Sequence, residues 1–302
     1  MKTSMLALMK NGLGRALLRT LIGRAWWLPV LFLLAITITV KADVSGDYVY
    51  TVNPNGTVRI DEYTGLGSLV NVPNTLDGRT VVGIARYAFS SIASLTSVTI
   101  PASVLYLEEY VFDNCANLSS VTIGIGVTSI GFRVFDDCPN LTLLTVEGGN
   151  TAYSSFDNVL FNKNQTALIQ CPGGRAGDYT IPDGVTSIER GAFFWCTRLD
   201  SVTIASTVTT IASEAFWSCT SLGGVVIPNS VTLIGEDAFW GCTNMASATI
   251  GTSVASIGEW AFYECTRLTG ITLPASVTDI GYGIRPLHQP GGNHGKCGQH
   301  LL

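Results

Sequence analysis

Six cysteines recur through the chain at a spacing of 23 residues, with one interruption by an inserted segment. They are Cys115, Cys138, Cys196, Cys219, Cys242 and Cys265. Seven phenylalanines follow the same period: Phe89, Phe112, Phe135, Phe193, Phe216, Phe239 and Phe262. A fixed period of about 20–50 residues is typical of a solenoid, in which each repeat packs only against its neighbours. The sequence therefore predicts a stack of similar coils rather than a globule built around one pocket.

Each full unit contains Val-x-x-Ile, then Ala-Phe-x-x-Cys, then Leu-x-x-Val-x-Ile, as in residues 208–227. Apolar residues that are three apart in most of the unit and two apart in its last part do not fit one continuous helix or strand. We therefore expect each unit to turn corners, with a short strand in its Leu-x-x-Val-x-Ile part. In such a strand Leu199 and Val202 point inward, whereas Ser201 and Thr203 point outward.

These units resemble the BspA-like, treponemal-type leucine-rich repeats. The family pattern Cys-x-x-Leu-x-x-Ile-x-Leu-Pro-x-x-Leu-x-x-Ile-Gly-x-x-Ala-Phe is followed by Cys242 to Phe262, without the proline, and by Cys265 to Gly281. Ile92 stands in a cysteine position and Met245 in a leucine position, and both remain apolar. The resemblance covers about residues 62–283. It implies a leucine-rich-repeat solenoid, a β-rich right-handed horseshoe with short parallel strands on its concave face. It also implies bacterial surface or secreted proteins that act in adhesion and protein binding, without shared catalytic residues.

The chain is predicted to contain four regions. Residues 1–42 combine scattered basic residues with an apolar run from Trp26 to Val40, which favours a cleaved signal peptide over an uncleaved signal anchor. Residues 43–80 are predicted to cap the first coil, with a hairpin turn at Asn53-Pro-Asn-Gly56. Residues 81–283 form the repeats. Residues 284–302 depart from the repeat, and a reading frame shifted by one nucleotide restores it, so we expect an out-of-frame tail.

The inserted segment, at about residues 147–182, is predicted to be a β-hairpin. Its first strand covers residues 153–161, its polar turn residues 162–166 and its second strand residues 167–171. Residues 179–182 then rejoin the repeat. The sequence leaves two roles open: a wedge that adjusts the curvature of the stack, or a protrusion that binds a partner.

The charge distribution argues against nucleic acid as a partner. Six of the 17 basic residues lie within residues 1–42, which contain no acidic residue, so the remainder carries 11 basic against 22 acidic side chains. An acidic body cannot form the phosphate-neutralising stripe that nucleic acids require. The leader predicts export to the cell surface or the medium, and an uncleaved anchor is the one predicted contact with a membrane.

No catalytic constellation is apparent in the repeats. Their body contains no histidine, because His288, His294 and His300 all lie in the tail, where a metal-binding tract is the weaker interpretation. The adjacent acidic pairs 108–109, 136–137 and 236–237 are interpreted as solvated surface charge rather than as glycosidase carboxylates. Single cysteines every 23 residues do not match structural zinc sites. A buried column of thiols is favoured for them, with disulfides as the alternative. We expect neither an enzyme nor a cofactor.

Two surface columns are the candidate ligand-binding sites. The first is the outward position of the repeated strand, and its candidate residues are Thr122, Thr145, Thr203, Thr249 and Thr272. The second follows each core phenylalanine in the later units and comprises Phe194, Trp217, Trp240 and Tyr263. Either column could serve packing alone, since threonines suit a parallel ladder and aromatic rings stiffen a stack.

The sequence thus predicts an exported, non-enzymatic repeat protein that offers a protein-binding or cell-adhesion surface. The expected partner is a protein or a glycan on a host or neighbouring cell. One alternative is a carbohydrate-recognition module that uses the aromatic column. Another is a structural spacer or a truncated gene product.

Overall fold

The structure is a computed structural model, and it describes residues 42–283. The predicted leader, apart from Ala42, and the predicted tail with its three histidines and Cys297 lie outside this range. The described residues form 24 strands and no helix, so none of them belongs to a helix able to cross a membrane. The prediction of a β-rich solenoid with short parallel strands about 23 residues apart is confirmed.

The strands are β1 Asp43–Ser45, β2 Tyr48–Val52, β3 Val58–Tyr63, β4 Leu69–Asn71, β5 Thr75–Leu76, β6 Arg79–Ile84, β7 Ser97–Ile100, β8 Tyr106–Leu107, β9 Ser120–Ile123, β10 Ser129–Ile130, β11 Leu143–Val146, β12 Tyr153–Phe156, β13 Val159–Asn162, β14 Ala167–Gln170, β15 Ala176–Thr180, β16 Ser187–Ile188, β17 Arg198–Thr203, β18 Thr210–Ile211, β19 Gly224–Val226, β20 Leu233–Ile234, β21 Ser247–Thr249, β22 Ser256–Ile257, β23 Ile271–Thr272 and β24 Asp279–Ile280. At the N-terminal end, β1, β2 and β3 pair antiparallel, and β3 then pairs in parallel with β6.

The Leu-x-x-Val-x-Ile part of each unit forms the first parallel ladder, which we call the strand face. Before the insertion it runs through β4, β7, β9 and β11, and after it through β15 with β17 and through β19, β21 and β23. Alternate residues are buried, as in β7 and β9, because one side of each strand faces the core.

A second parallel ladder arises from the Val-x-x-Ile part of each unit. Its strands are only two residues long in the regular coils, and they run from β6 through β8 to β10 and then from β14 through β16, β18, β20 and β22 to β24. This ladder was not separately predicted, since two residues are too few to give a strand signal in the sequence.

A third line of hydrogen bonds joins the turns around the core phenylalanines. We call the residues from three before to two after each of these phenylalanines the turn face. The Phe112 N–H donates to the Val134 carbonyl oxygen at 2.9 Å, and the Phe216 N–H donates to that of Ala238 at 2.7 Å. The residues two before and two after each phenylalanine have positive φ in all seven units, including Glu214 at 58° and Asp237 at 55°. Such residues cost about 1–2 kcal/mol each outside glycine, and the hydrogen bonds between coils hold them in place.

The core is a column of stacked phenylalanine rings that the insertion divides. Phe216 lies 4.6 Å from Phe193 and 5.0 Å from Phe239 between ring centroids, and is fully buried. One buried cluster reaches from Tyr50 to Leu144 and includes Leu160, whereas the other begins at Val159 and Phe161. The strand β13 therefore directs alternate side chains to two separate cores.

The insertion differs from the predicted hairpin in one respect. The segment predicted as one strand is broken at Asp157 and Asn158, whose φ angles of 49° and 62° suit a two-residue hairpin turn. As a result β12 pairs antiparallel with β13, and β13 pairs antiparallel with β14. Because Val159, Leu160 and Phe161 are all fully buried, β13 lies inside the stack and separates the two cores.

Asn150 and Tyr153 mark the point where the chain leaves the repeat. Asn150 takes the place that Val127 holds one coil earlier, and its buried amide donates to the carbonyl oxygens of Gly124 and Val127 at 3.0 and 2.9 Å. The Tyr153 hydroxyl accepts a 3.0 Å hydrogen bond from the Ile130 N–H at the free edge of β10. A whole tyrosine side chain thus separates two backbones that in regular coils lie about 4.8 Å apart.

Candidate binding surfaces

The candidate threonines fall into two blocks on the strand face. Thr122 is in register with Thr145, and their hydroxyl oxygens are 3.2 Å apart. After the insertion, Thr249 is in register with Thr272, and Thr203 lies two coils before Thr249. No strand pairing joins β11 to β15, nor β17 to β19 within the second block, so the threonines predicted as one column do not form one continuous ladder.

The outward positions of the strand face are small and mostly uncharged. Apart from threonine they hold serine or glycine in most coils, with three exposed apolar side chains, Leu69 at 73%, Leu143 at 49% and Val226 at 66% exposure. The charged exceptions lie next to the insertion, where Asp178 accepts a hydrogen bond from Ser201 at 2.5 Å. The face is consequently a nearly neutral, rigid surface with short side chains.

The second candidate column is a continuous aromatic stack. Ring centroids are 5.7 Å apart for Phe194 and Trp217, 4.7 Å for Trp217 and Trp240, and 4.8 Å for Trp240 and Tyr263. Phe194 is buried, and Trp217 and Trp240 are half-buried. Trp217 and Trp240 stack face to face, with 7° between their ring planes, so the sides that face each other are covered. Phe194 packs against Trp217 at 33°, and Tyr263 packs against Trp240 at 57°. This geometry favours packing over sugar stacking for the middle of the column, since a sugar needs an open ring face.

Trp195 and Trp260 are further exposed aromatic residues of the turn face that the sequence interpretation missed. They are 44% and 43% exposed, and Trp260 contacts both Trp240 at 5.4 Å and Tyr263 at 5.7 Å between ring centroids. The repeat could have predicted them, because Trp195 lies two residues after a core phenylalanine and Trp260 two residues before one, at the two left-handed positions of the unit.

A partly buried ion-pair network of Arg133, Arg190 and Glu214 lies at the Phe194 end of the aromatic stack. The Arg133 guanidinium lies 3.6 Å from the centroid of Phe194 and 2.6 Å from a carboxylate oxygen of Glu214. Arg190 donates to the other carboxylate oxygen of Glu214 at 3.0 Å through Nε, and its guanidinium lies 4.3 Å from the centroid of Phe132. Gly191 stands between Arg133 and Glu214 in the column of left-handed residues, and a Cβ atom there would lie 3.0 Å from the Phe132 ring. The network joins coils on the two sides of the insertion.

Carboxylates at two points of the turn face have perturbed pKa values. Burial raises the pKa of Asp136 to about 6, against the opposing effect of Arg133. Burial, together with repulsion from Glu236, Glu214 and Glu259, also raises the pKa of Asp237 to about 6. The interpretation as plainly solvated charge is wrong for Asp136, whose side chain is only 12% exposed.

The cysteines of residues 42–283 are all free and buried. In five coils the thiol donates to the carbonyl oxygen of the core phenylalanine 26 residues earlier: Cys115 to Phe89 at 3.0 Å, Cys138 to Phe112 at 3.1 Å, Cys219 to Phe193 at 3.1 Å, Cys242 to Phe216 at 3.2 Å and Cys265 to Phe239 at 3.1 Å. Burial raises the pKa values of Cys138, Cys219 and Cys242, and that of Cys115 to about 11, so thiolate chemistry is disfavoured at these positions.

Within residues 42–283, no group of three or more histidine, cysteine, aspartate or glutamate side chains could hold a metal ion. One cavity of about 450 Å³ lies beside the free edge of β10, with Phe132, Tyr153, Ile169 and Arg190 among its lining residues. It has the volume of a small-molecule site, but Arg133 and Arg190 in its lining are already paired with Glu214.

The repeats are similar to those of known bacterial proteins. A family model described as the BspA type leucine rich repeat region matches residues 70–173 and 175–284 in six copies. A leucine-rich repeat protein from Eubacterium ventriosum is 20% identical, covers 80% of this chain and 93% of its own, and has a TM-score of 0.50. A leucine rich cell surface protein from Faecalibacterium prausnitzii is 23% identical, with coverages of 80% and 94% and a TM-score of 0.48.

The leucine rich repeat protein of T. pallidum is 25% identical, with coverages of 76% and 91% and a TM-score of 0.45. No curated protein matches the chain. At these levels of identity the structural likeness concerns the fold alone.

Proposed function

Since the chain belongs to the BspA-type leucine-rich-repeat family, we propose that it is an exported, non-enzymatic protein that binds another protein at a cell surface through its strand face. The observation that carries this proposal is the strand face itself. Parallel strands hold short, mostly uncharged side chains in register over several coils, and Leu143 and Val226 are exposed on it. A partner can approach such a face without displacing long side chains.

Energetically, a repeated face favours many weak contacts over a few strong ones. The strands are fixed by the ladder, so binding orders little of the backbone, and the entropic cost of association falls mainly on the partner. The leader predicted from residues 1–42 and the cell-surface description of the protein from F. prausnitzii support an extracytoplasmic location.

The test is binding of the secreted protein to arrays of extracellular matrix proteins and glycans. Replacing Thr203 and Thr249 by lysine adds long charged side chains to the strand face. Thr252→Lys is the matched control, because Thr252 is exposed in a turn outside the strands. We expect the double variant to lose protein binding and the control to keep it. Protein binding that survives the double variant would refute the strand face as the site.

The carbohydrate-recognition alternative depends on the exposed rings of Trp195, Trp260 and Tyr263. Because Trp217 and Trp240 cover each other, glycan binding at the aromatic column would use these three rings. Glycan binding that disappears in Trp195→Leu or Trp260→Leu, without any protein binding, would favour this alternative.

A further inference from the structure

The turn face of the last coils carries carboxylates that have no counter-charge. Glu236, Asp237, Glu259 and Glu264 form no ion pair within residues 42–283. Arg267 is the one basic residue between positions 205 and 283, and its guanidinium donates to Asn244 instead. The Asp237 N–H donates to the Glu259 carbonyl oxygen at 2.9 Å, so their coils are directly adjacent.

Like charges on neighbouring rungs of a ladder are destabilising, and the earlier coils avoid them in the column of residues three before the core phenylalanine. Three residues before the core phenylalanine, Arg86 lies 3.8 Å from Glu109 of the next coil. At the same position Arg190 stacks on Phe132. In the last coils, the residues three before the core phenylalanine are both acidic, so Glu236 lies beside Glu259. Asp237 adds a third carboxylate there.

In an earlier coil of the turn face, a carboxylate at the corresponding position is paired with arginine. Glu214 lies two residues before its core phenylalanine, with φ of 58°, and is neutralised by two guanidinium groups, one of which stacks on Phe194. Asp237 occupies the same position one coil later, with φ of 55°, beside the same aromatic stack. No arginine reaches it, and its buried Oδ1 has no hydrogen-bond partner in the described part of the chain.

The size and chemistry of the surroundings indicate what kind of cation fits. The carboxylates do not converge closely enough to hold a metal ion. Trp260 and Tyr263 flank them with rings that are each 43% exposed. Carboxylates beside exposed aromatic rings suit a guanidinium or ammonium group, which can form charge-assisted hydrogen bonds and lie over a ring.

We propose that the turn face around Glu236, Asp237, Glu259 and Trp260 binds an arginine-rich segment of a partner protein. The bound guanidinium groups take the place that Arg133 and Arg190 take around Glu214. This site is separate from the strand face. A failure to bind arginine peptides here would therefore not contradict the proposed function, and a failure of protein binding at the strand face would not contradict this site.

The experiment measures binding of the full chain to short labelled peptides by fluorescence anisotropy at low and moderate salt. One peptide alternates arginine with glycine, a second has lysine for arginine, and a third has citrulline, which is isosteric with arginine but neutral. We expect binding in the order arginine, lysine, citrulline, with the citrulline peptide at least about tenfold weaker than the arginine peptide.

Two isosteric variants locate the site. Asp237→Asn and Glu259→Gln should each weaken arginine-peptide binding about tenfold, since each removes one charge-assisted contact. Glu109→Gln changes the net charge equally, on the same face but in an earlier coil, and should leave the affinity unchanged. Trp260→Leu should weaken the arginine peptide more than the lysine peptide, because the planar guanidinium stacks better.

Misfolding does not confuse these outcomes, because Asp237→Asn relieves repulsion and should not destabilise the protein. Equal binding of the arginine and citrulline peptides would overturn the proposal. So would an equal loss of affinity in Glu109→Gln and Asp237→Asn, since binding would then follow net charge alone.

Discussion

Glu214 is expected to connect the two halves of the solenoid across the insertion, and Glu214→Gln tests this. The variant keeps the shape of the side chain but removes the charge that Arg133 and Arg190 share. The Arg133 side chain is 20% exposed and that of Glu214 11%, whereas that of Arg190 is 60% exposed. Most of the cost therefore comes from Arg133, which is left nearly buried without its main counter-charge.

The magnitude follows from this difference in burial. Removing one partner of a buried pair costs about 3–5 kcal/mol, and an exposed pair contributes at most about 1 kcal/mol. Asp136, at 3.8 Å from Arg133, offsets part of the loss. We therefore expect Glu214→Gln to lower the free energy of unfolding by about 3 kcal/mol. Glu236→Gln, in the next coil and without an ion pair among the described residues, should change it by less than about 0.5 kcal/mol.

Urea unfolding followed by two probes provides the assay. The four described tryptophans, Trp195, Trp217, Trp240 and Trp260, all follow the insertion, so their fluorescence reports on the C-terminal half, whereas far-UV circular dichroism reports on both halves. Loss of the network should separate the two transitions, because stability in a solenoid depends on contacts between neighbouring coils.

A double-mutant cycle with Arg133→Met isolates the pair itself. We expect a coupling energy of about 1.5–3 kcal/mol. A coupling below about 0.5 kcal/mol, or coincident transitions with unchanged midpoints in Glu214→Gln, would refute the role of this network.

Four further predictions concern the core and the turn face. Phe216→Ala should cost about 3–5 kcal/mol and Phe262→Ala clearly less, because Phe216 is stacked on both sides and fully buried, whereas Phe262 is stacked on one described ring only; thermal unfolding of both variants checks this order. Asn150→Leu should cost at least about 2 kcal/mol, since it removes the hydrogen bonds of a buried amide to two carbonyl oxygens and two N–H groups, and an unchanged melting temperature would contradict it. Cys219→Ala should cost less than about 2 kcal/mol in urea unfolding, because the thiol makes only a weak hydrogen bond; a larger loss would show that the thiol column is specifically required. The folded-state pKa of Asp237 is raised above its ordinary value of 3.8 to about 6, so its charge opposes folding above that range; Asp237→Asn should raise the melting temperature near neutral pH, and this advantage should disappear as the pH falls through about 6 towards 4. An equal effect of Asp237→Asn at both ends of this pH range would contradict the titration.

Much of the fold was accessible from the sequence because a solenoid repeats its local rules. The period of 23 residues located the core phenylalanines and cysteines, and the alternation within Leu-x-x-Val-x-Ile distinguished the buried from the outward residues. Each of these features depends only on residues close in the chain, or exactly one coil apart, so a single sequence contains the full signal.

The structure of the insertion was harder to predict from the sequence, because it depends on packing on both sides of the strand β13. An apolar run such as Val159-Leu160-Phe161 predicts a buried strand, but it does not reveal that alternate side chains enter two different cores. The turn at Asp157 and Asn158 carries a weak local signal, and the sequence interpretation passed over it.

What the tertiary structure alone decided is which distant side chains meet. Arg133 and Glu214 are 81 residues apart, on opposite sides of the insertion, and they pair because the stack brings their coils close together. The sequence named the aromatic residues of the turn face correctly as a column, but only the ring distances revealed that the middle rings cover each other. Periodicity fixes which residues share a face, whereas the contacts across an interruption depend on three-dimensional packing, which no local pattern encodes.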